Sequence, residues 1–301
     1  MANVSDTTYA SIREATSGVT PPTPAFTNFD TNSFELNLES NFITSEIMRA
    51  NRAAGDSIAT GFYCSGNFTA DFHRNTALEQ WIESGFGGIF AGNILKAGNL
   101  DSTQTLEQRM IGRDGPMFFR STNSLATSVG ITVDATSKAE FSADFMGLAY
   151  TNSIAMLTDA TYTPAVKGPL IAGGTVGSVT IEGLDATFYS LDLTVAHTRS
   201  PKFGLFNHNA FGITTGANRA TSLTLTLYRE DLSAEQVFKP NVPVAINFTL
   251  GATGEGYTFA LPRCFTTGPR RETNDNSELV TIELIAANDD TLGTDVQITK
   301  S

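Results

Sequence analysis

The chain has 301 residues, enough for one large hydrophobic core or two of medium size. Its 31 acidic side chains outnumber 19 basic ones, giving a formal charge of -12 and a pI near 4.6, which excludes tight neutralisation of a phosphate backbone. The same charge serves solubility and does not prevent DNA from passing nearby. Cys64 and Cys264 stand far apart, nothing like a signal peptide precedes Tyr9, and no apolar run approaches the ~18 residues of a membrane helix. The expectation is a soluble protein made in a reducing cytosol. The 26 glycines, and 21 phenylalanines against 7 tyrosines and 1 tryptophan, fit a sheet-rich chain with many turns.

In chain order, residues 1–32 contain Gly18-Val19-Thr20-Pro21-Pro22-Thr23-Pro24, which cannot be helical and reads as an extended arm lying on a neighbour. Residues 33–40 alternate as a half-buried strand does, with Phe34, Leu36 and Leu38 on one face and Glu35, Asn37 and Glu39 on the other. A long loop follows over 41–60, with room for one helical turn at Thr44–Arg49. A second strand covers 61–73, where Phe68, Ala70 and Phe72 interleave with Thr69, Asp71 and His73. A helix over 76–84 ends at Gly85. Further strands are expected over 103–112, 117–122, 125–133 and 138–146, with a turn at 113–116. A linker over 161–175 separates this unit, 33–160, from a second one over 176–301.

The second unit repeats the first at an offset of about 155 positions. Tyr189, Leu191 and Leu193 match Phe34, Leu36 and Leu38, while Leu223, Leu225 and Leu227 match Phe68, Ala70 and Phe72. Ser190, Asp192 and Thr194 repeat the first polar face, and Thr224, Thr226 and Tyr228 repeat the second. A short helix from Leu232 to Phe238 takes the place of the first one. The loop between the paired strands has the same length in both copies, although most hairpin connections are only ~2–5 residues. Strands over 244–250, 257–263 and 279–286 close the unit, with 266–277 as a surface loop.

Catalytic patterns are missing. His73, His197 and His208 have neither an i, i+4 partner nor a nearby cysteine pair, and Gly173-Gly174-Thr175-Val176-Gly177 lacks the lysine and helix of a phosphate cradle. The acidic run that ends at Gly293 has Leu292 where a calcium loop needs an oxygen ligand. Paired acids such as Glu35 with Glu39 have no apolar pocket to push two pKa values apart. No cofactor, metal or enzymatic activity is expected.

The chain resembles the tail tube proteins of long-tailed, non-contractile bacteriophages. The likeness sits in residues 12–21 (IREATSGVTP), in Pro24-Ala25-Phe26, and in residues 45–52 (SEIMRANR). It continues in Ser65-Gly66-Asn67-Phe68 and in residues 256–263 (GYTFALPR). It implies a mainly β fold of duplicated sandwich units, each with a flanking helix, whose inner strands join those of neighbouring subunits into a barrel around a lumen. It further implies stacked rings in the virion tail, assembled in the host cytoplasm, through which DNA passes without specific binding. Tape measure, tail terminator and distal tail proteins would be partners, and no membrane. Segment 200–206 does not repeat the 46–52 pattern, so the two loops should have different contacts.

On this reading Glu35, Asn37, Glu39, Asp71, Ser190, Asp192, Thr224 and Thr226 line the lumen, and Glu46, Arg49 and Arg52 make ring-to-ring contacts. Single-unit relatives form rings of six, so a chain with two units would fill a ring with three copies in pseudo-sixfold symmetry. A ring of six whole chains is the other possibility. Two further readings of the chain are a decoration or tail-completion protein and a secreted β-sandwich binding module.

Overall fold

A computed structural model describes residues 6–47, 55–252, 254–274 and 277–301. In the first half, β1 (Thr8–Arg13) and β2 (Ala25–Phe29) precede the long hairpin of β3 (Ser33–Thr44) and β4 (Ser57–Asp71), followed by α1 (Thr76–Phe86). Then come β5 (Ile94–Lys96), β6 (Gln104–Gly112), β7 (Gly115–Asp134), β8 (Glu140–Gly147), β9 (Ala149–Ser153) and β10 (Thr161–Thr163). The second half runs β11 (Val176–Ile181), β12 (Phe188–Lys202), β13 (Gly212–Tyr228), α2 (Ser233–Val237), β14 (Val244–Leu250) and β15 (Tyr257–Thr266). It ends with β16 (Arg270–Asn274), β17 (Ser277–Ala286) and β18 (Gln297–Lys300). The fold is mainly β and forms a sandwich without a closed barrel.

Both halves follow one pairing plan. An inner sheet has the order β3-β4-β8-β7 in the first half and β12-β13-β17 in the second, where the end of β15 and then β16 take the fourth place. A strand ahead of the inner hairpin joins an outer sheet, β1 beside β6 in the first half and β11 beside β14 in the second. A late strand of each half returns to the outer part of the fourth one, β9 to β7 and β18 to β15. Between halves, β7 pairs antiparallel with β12, from Asp134 opposite Ser190 to Ser128 opposite Ala196. The two inner sheets are therefore one continuous sheet.

Local chemistry explains the elements. Asn75 caps α1 by accepting the Ala77 amide at 2.8 Å, and Gly87, at φ 64°, ends it in the left-handed conformation. Gly85 lies inside the helix because a β-carbon there would meet the Val129 side chain at 2.3 Å. Strand β7 belongs to the outer sheet up to its bend and to the inner sheet beyond it. Asn123 at φ 55° makes the bend, its amide held by Glu14 at 2.8 Å. Glu14 also accepts from the Gly18 amide and the Thr105 hydroxyl, so this one buried carboxylate organises the 14–18 turn.

The structure corrects several sequence expectations. Within residues 1–32, read as an arm lying on a neighbour, Thr8–Arg13 and Ala25–Phe29 instead form β1 and β2 of the chain's own outer sheet, anchored by buried Phe26 and Phe29, and Gly18–Pro24 runs between them. The 41–60 loop is mostly hairpin, since the ladder continues to Thr44 opposite Ser57. The expected helical turn is strand at Thr44, and 48–49 lie outside the described residues. Likewise the 196–216 loop is laddered as far as Lys202 opposite Gly212. The expected linker starts with β10, which pairs parallel with β2, and the expected surface loop 266–277 contains β16 on the edge of β17. In each case edge pairing satisfies backbone groups that composition alone assigns to solvent.

The core lies between the inner sheet and the outer layer. It is filled by the apolar faces of β4, β7, β8, β12 to β15, β17 and β18 together with Leu78, Trp81, Ile82 and Phe86 of α1. The C-terminal end of α1 is tied to the second half. His197 bonds the Gly85 carbonyl at 2.7 Å, and Arg219 donates to the carbonyls of Phe86 and Gly98. Burial holds the His197 pKa below the usual imidazole value of 6.5; the Gly85 bond opposes this, while Arg199 and Arg219 add to it. The unfolded chain thus takes up this proton at higher pH than the folded one. The stability of neutral His197 is fully present above pH 6.5 and is lost as pH falls toward the folded pKa. His197→Gln should flatten the fall of the urea midpoint as pH drops below the usual imidazole value of 6.5, a slope of at most about 1.4 kcal/mol per pH unit. An unchanged slope would contradict this origin.

Candidate functional site

The face of the inner sheet turned away from the core is mainly polar, as period-two alternation requires once the other face is buried, with exposed Ile285 on β17 and Phe265 opposite it as apolar exceptions. Cross-strand registers join it into rows. One row runs Asp71, Glu140, Thr132, Asp192, Thr224 and Glu283 across six strands and through the β7–β12 junction. A second runs Ser33, Thr69, Ser142, Gly130, Thr194 and Ser222. Glu35 sits opposite Asn67, whose amide it accepts at 3.2 Å, and Asn67 sits opposite Asp144. Asp144 accepts the Ser128 hydroxyl at 2.7 Å.

The expected polar residues share this face, but unequally. Glu35, Asn37 and Asp192 are exposed, while Glu39, Asp71, Ser190 and Thr224 are half-buried. Glu39 accepts from Ser65 at 2.9 Å, and Asp71 is paired with Lys138. Thr226 is buried beside Thr281, because β13 is flanked on both sides and its short side chain lies below those of its neighbours. Glu46 is exposed near the tip of the first hairpin; Arg49 and Arg52 lie outside the described residues.

Sequence reasoning missed half of the face. Asp134, Glu140, Asp144 and Glu283 belong to it, and the alternation of 138–146 and 279–286 is the signal that points to them. What pattern alone does not supply is that β8 and β7 stand between β4 and β12, with β17 beyond β13, all presenting the same face. The result is a broad surface of hydroxyls, amides and carboxylates. Lys138 and Arg270 answer only Asp71 and Glu283. The array has no nucleophile–base pair, and among the described residues no group of three or more His, Cys, Asp or Glu could hold a metal ion. Chemically it can remain hydrated and repel an anion.

A family profile described as phage tail tube protein matches residues 5–299. The chain belongs to the phage tail tube protein family. No curated protein matches it. As a tail tube protein it has a structural family role and a place in the virion tail, and the family points to self-assembly into a tube. The inner sheet of this tail tube protein ends at two strands that pair, among the described residues, on one side only: β3 with β4, and β16 with β17.

Proposed function

We propose that this tail tube protein builds a conduit for DNA, with three copies per ring and the polar face of the inner sheet turned to the lumen. The observation that carries the reading is the continuity of that face across β7 and β12. Two units, 33–160 and 176–301, already act side by side as one stretch of wall. Three such chains give six units in pseudo-sixfold arrangement. Glu35, Asn37, Glu39, Asp71, Ser190, Asp192, Thr224 and, more deeply set, Thr226 then line the channel. The function is mechanical rather than enzymatic.

A wall of carboxylates and hydroxyls suits transit. Like charge repels the duplex over the ~8 Å screening length at physiological salt, so DNA slides without sticking. Glu46, Arg49 and Arg52 make the ring-to-ring contacts, and tape measure, terminator and distal tail proteins meet the tube in a virion assembled in the host cytoplasm. Asp144→Lys with Asp192→Lys, both in mid-sheet, should leave tubes normal in negative stain and slow genome release from complemented particles. Normal tubes with unchanged release, or folded subunits that no longer form tubes, would contradict a lumenal position.

A further inference from the structure

The junction between the two halves repeats between chains. We propose that β3 of one copy pairs antiparallel with the end of β15 and with β16 of the next copy, in the register that β12 adopts on β7. This rests on the ring reading above and adds to it which strands meet and which residues face each other.

The argument begins from equivalent positions. Leu193 of β12 is 1% exposed beside Ile131 of β7, whereas Leu38, its counterpart on β3, is 51% exposed. Nothing in the chain covers the outer edge of β3 among the described residues, although it is twelve residues long and also shows Phe42 and Ile43 to solvent. A long apolar edge of this kind is a template for pairing with another chain, and natural proteins cover it. On the other side, the fourth strand of the second unit carries an open edge where β7 carries β12. Its ladder on β17 runs from Thr266 opposite Leu284 to Arg270 opposite Thr281, with one extra residue between them.

Carrying the β7–β12 register across sets Asn37 opposite Arg270, Leu36 opposite Arg271 and Glu35 opposite Glu272. Arg270 then lies diagonally between Glu35 and Glu39, within reach of a long side chain. On this face Arg270 meets two carboxylates, Glu35 and Glu39, against one like-charge pair of Glu35 with Glu272, while Arg271 lies on the other face of the ladder beside Leu36. Among the described residues Arg270 is paired with the exposed Glu283 at 3.3 Å, and Arg271 reaches Glu235 of α2 at 4.0 Å. As α1 lies over the internal junction, α2 stands beside the external one. Opposite edges also explain why closure needs no second kind of contact: each copy offers one of each.

Cysteine pairs test the register. Adjacent rungs of an antiparallel ladder alternate between bonded and non-bonded pairs, so one of two variants brings its β-carbons close: Asn37→Cys with Arg270→Cys, or Leu36→Cys with Arg271→Cys. The native thiols are buried, which pushes Cys64 up to about 11 and Cys264 up to about 12, so neither competes. Mild oxidation of assembled tubes should give reducible dimers and trimers from one double variant and none from the single ones. Cross-linking by Asn37→Cys alone would mean that β3 meets β3, and would overturn the proposal.

A charge swap covers the case in which the cysteine variants do not assemble. Arg270→Glu with Arg271→Glu should abolish tubes while leaving a folded subunit, and adding Glu35→Arg with Glu39→Arg should restore them. Wild-type tubes with neither cross-link nor restoration would overturn the register and leave the ring reading standing. Wild-type protein that forms no ring would overturn both.

Discussion

Glu107→Ala should destabilise the isolated subunit by about 3–5 kcal/mol, the cost of leaving a buried charge without its partner. Glu107 is 1% exposed on β6 and forms an ion pair with Arg120 of β7, itself 5% exposed. Its other oxygen accepts from the Tyr162 hydroxyl, and the Tyr162 ring stacks on Phe26 at 5.4 Å. Burial first, and the bond and charge of Glu107 next, hold the phenol well above its usual pKa, so it remains a donor. This one carboxylate therefore links β6, β7, β10 and β2. After its removal Arg120 retains only the Ala155 carbonyl at 3.1 Å and the face of Phe118. Urea unfolding of the unassembled protein measures the loss, and adding Arg120→Met should recover much of it. A loss below about 1 kcal/mol would place water where the structure has an ion pair.

Trp81→Ala should cost a similar amount, about 3–5 kcal/mol, through lost burial and the cavity left behind. Trp81 is fully buried in the middle of α1, edge-on to Phe68 at 5.3 Å and beside Phe145 at 5.4 Å. Among the described residues its indole nitrogen has no hydrogen-bond partner, so packing alone gives the ring its value. Phe68 and Phe145 stand on β4 and β8, directly behind Asn67 and Asp144 of the polar face. A collapse here should therefore also disturb the register of that face. Trp81→Phe keeps ring contacts and should lose clearly less. Equal losses in the two variants, by denaturant midpoints, would show that the site does not depend on the aromatic cluster.

The inner hairpins and the helix after them are legible in the sequence because one face is buried. Phe34 to Leu38 on β3 and Leu191 to Val195 on β12 alternate cleanly, whereas the helix expected to end at Gly85 runs through it to Phe86 and is ended by Gly87. Strands β8 and β17 are legible as strands but not as neighbours of β4 and β13. Their place depends on contacts from Asn67 to Asp144 and from Thr224 to Glu283, far apart in sequence. Edge strands are the least legible. Arg270–Asn274 and Thr161–Thr163 have loop composition, and they are strands because a neighbouring ladder offers bonding groups, not because of their side chains. Segments 117–122 and 125–133 read as two strands; they are one long β7, which changes sheets between them at Asn123.

Cryo-EM of assembled tubes, with the ring mass checked by native mass spectrometry, tests the account most directly. It predicts three chains of 32.1 kDa per ring, the two hairpins alternating around it and the row from Asp71 to Glu283 facing the lumen. Six chains per ring, or that row on the outer surface, would contradict it.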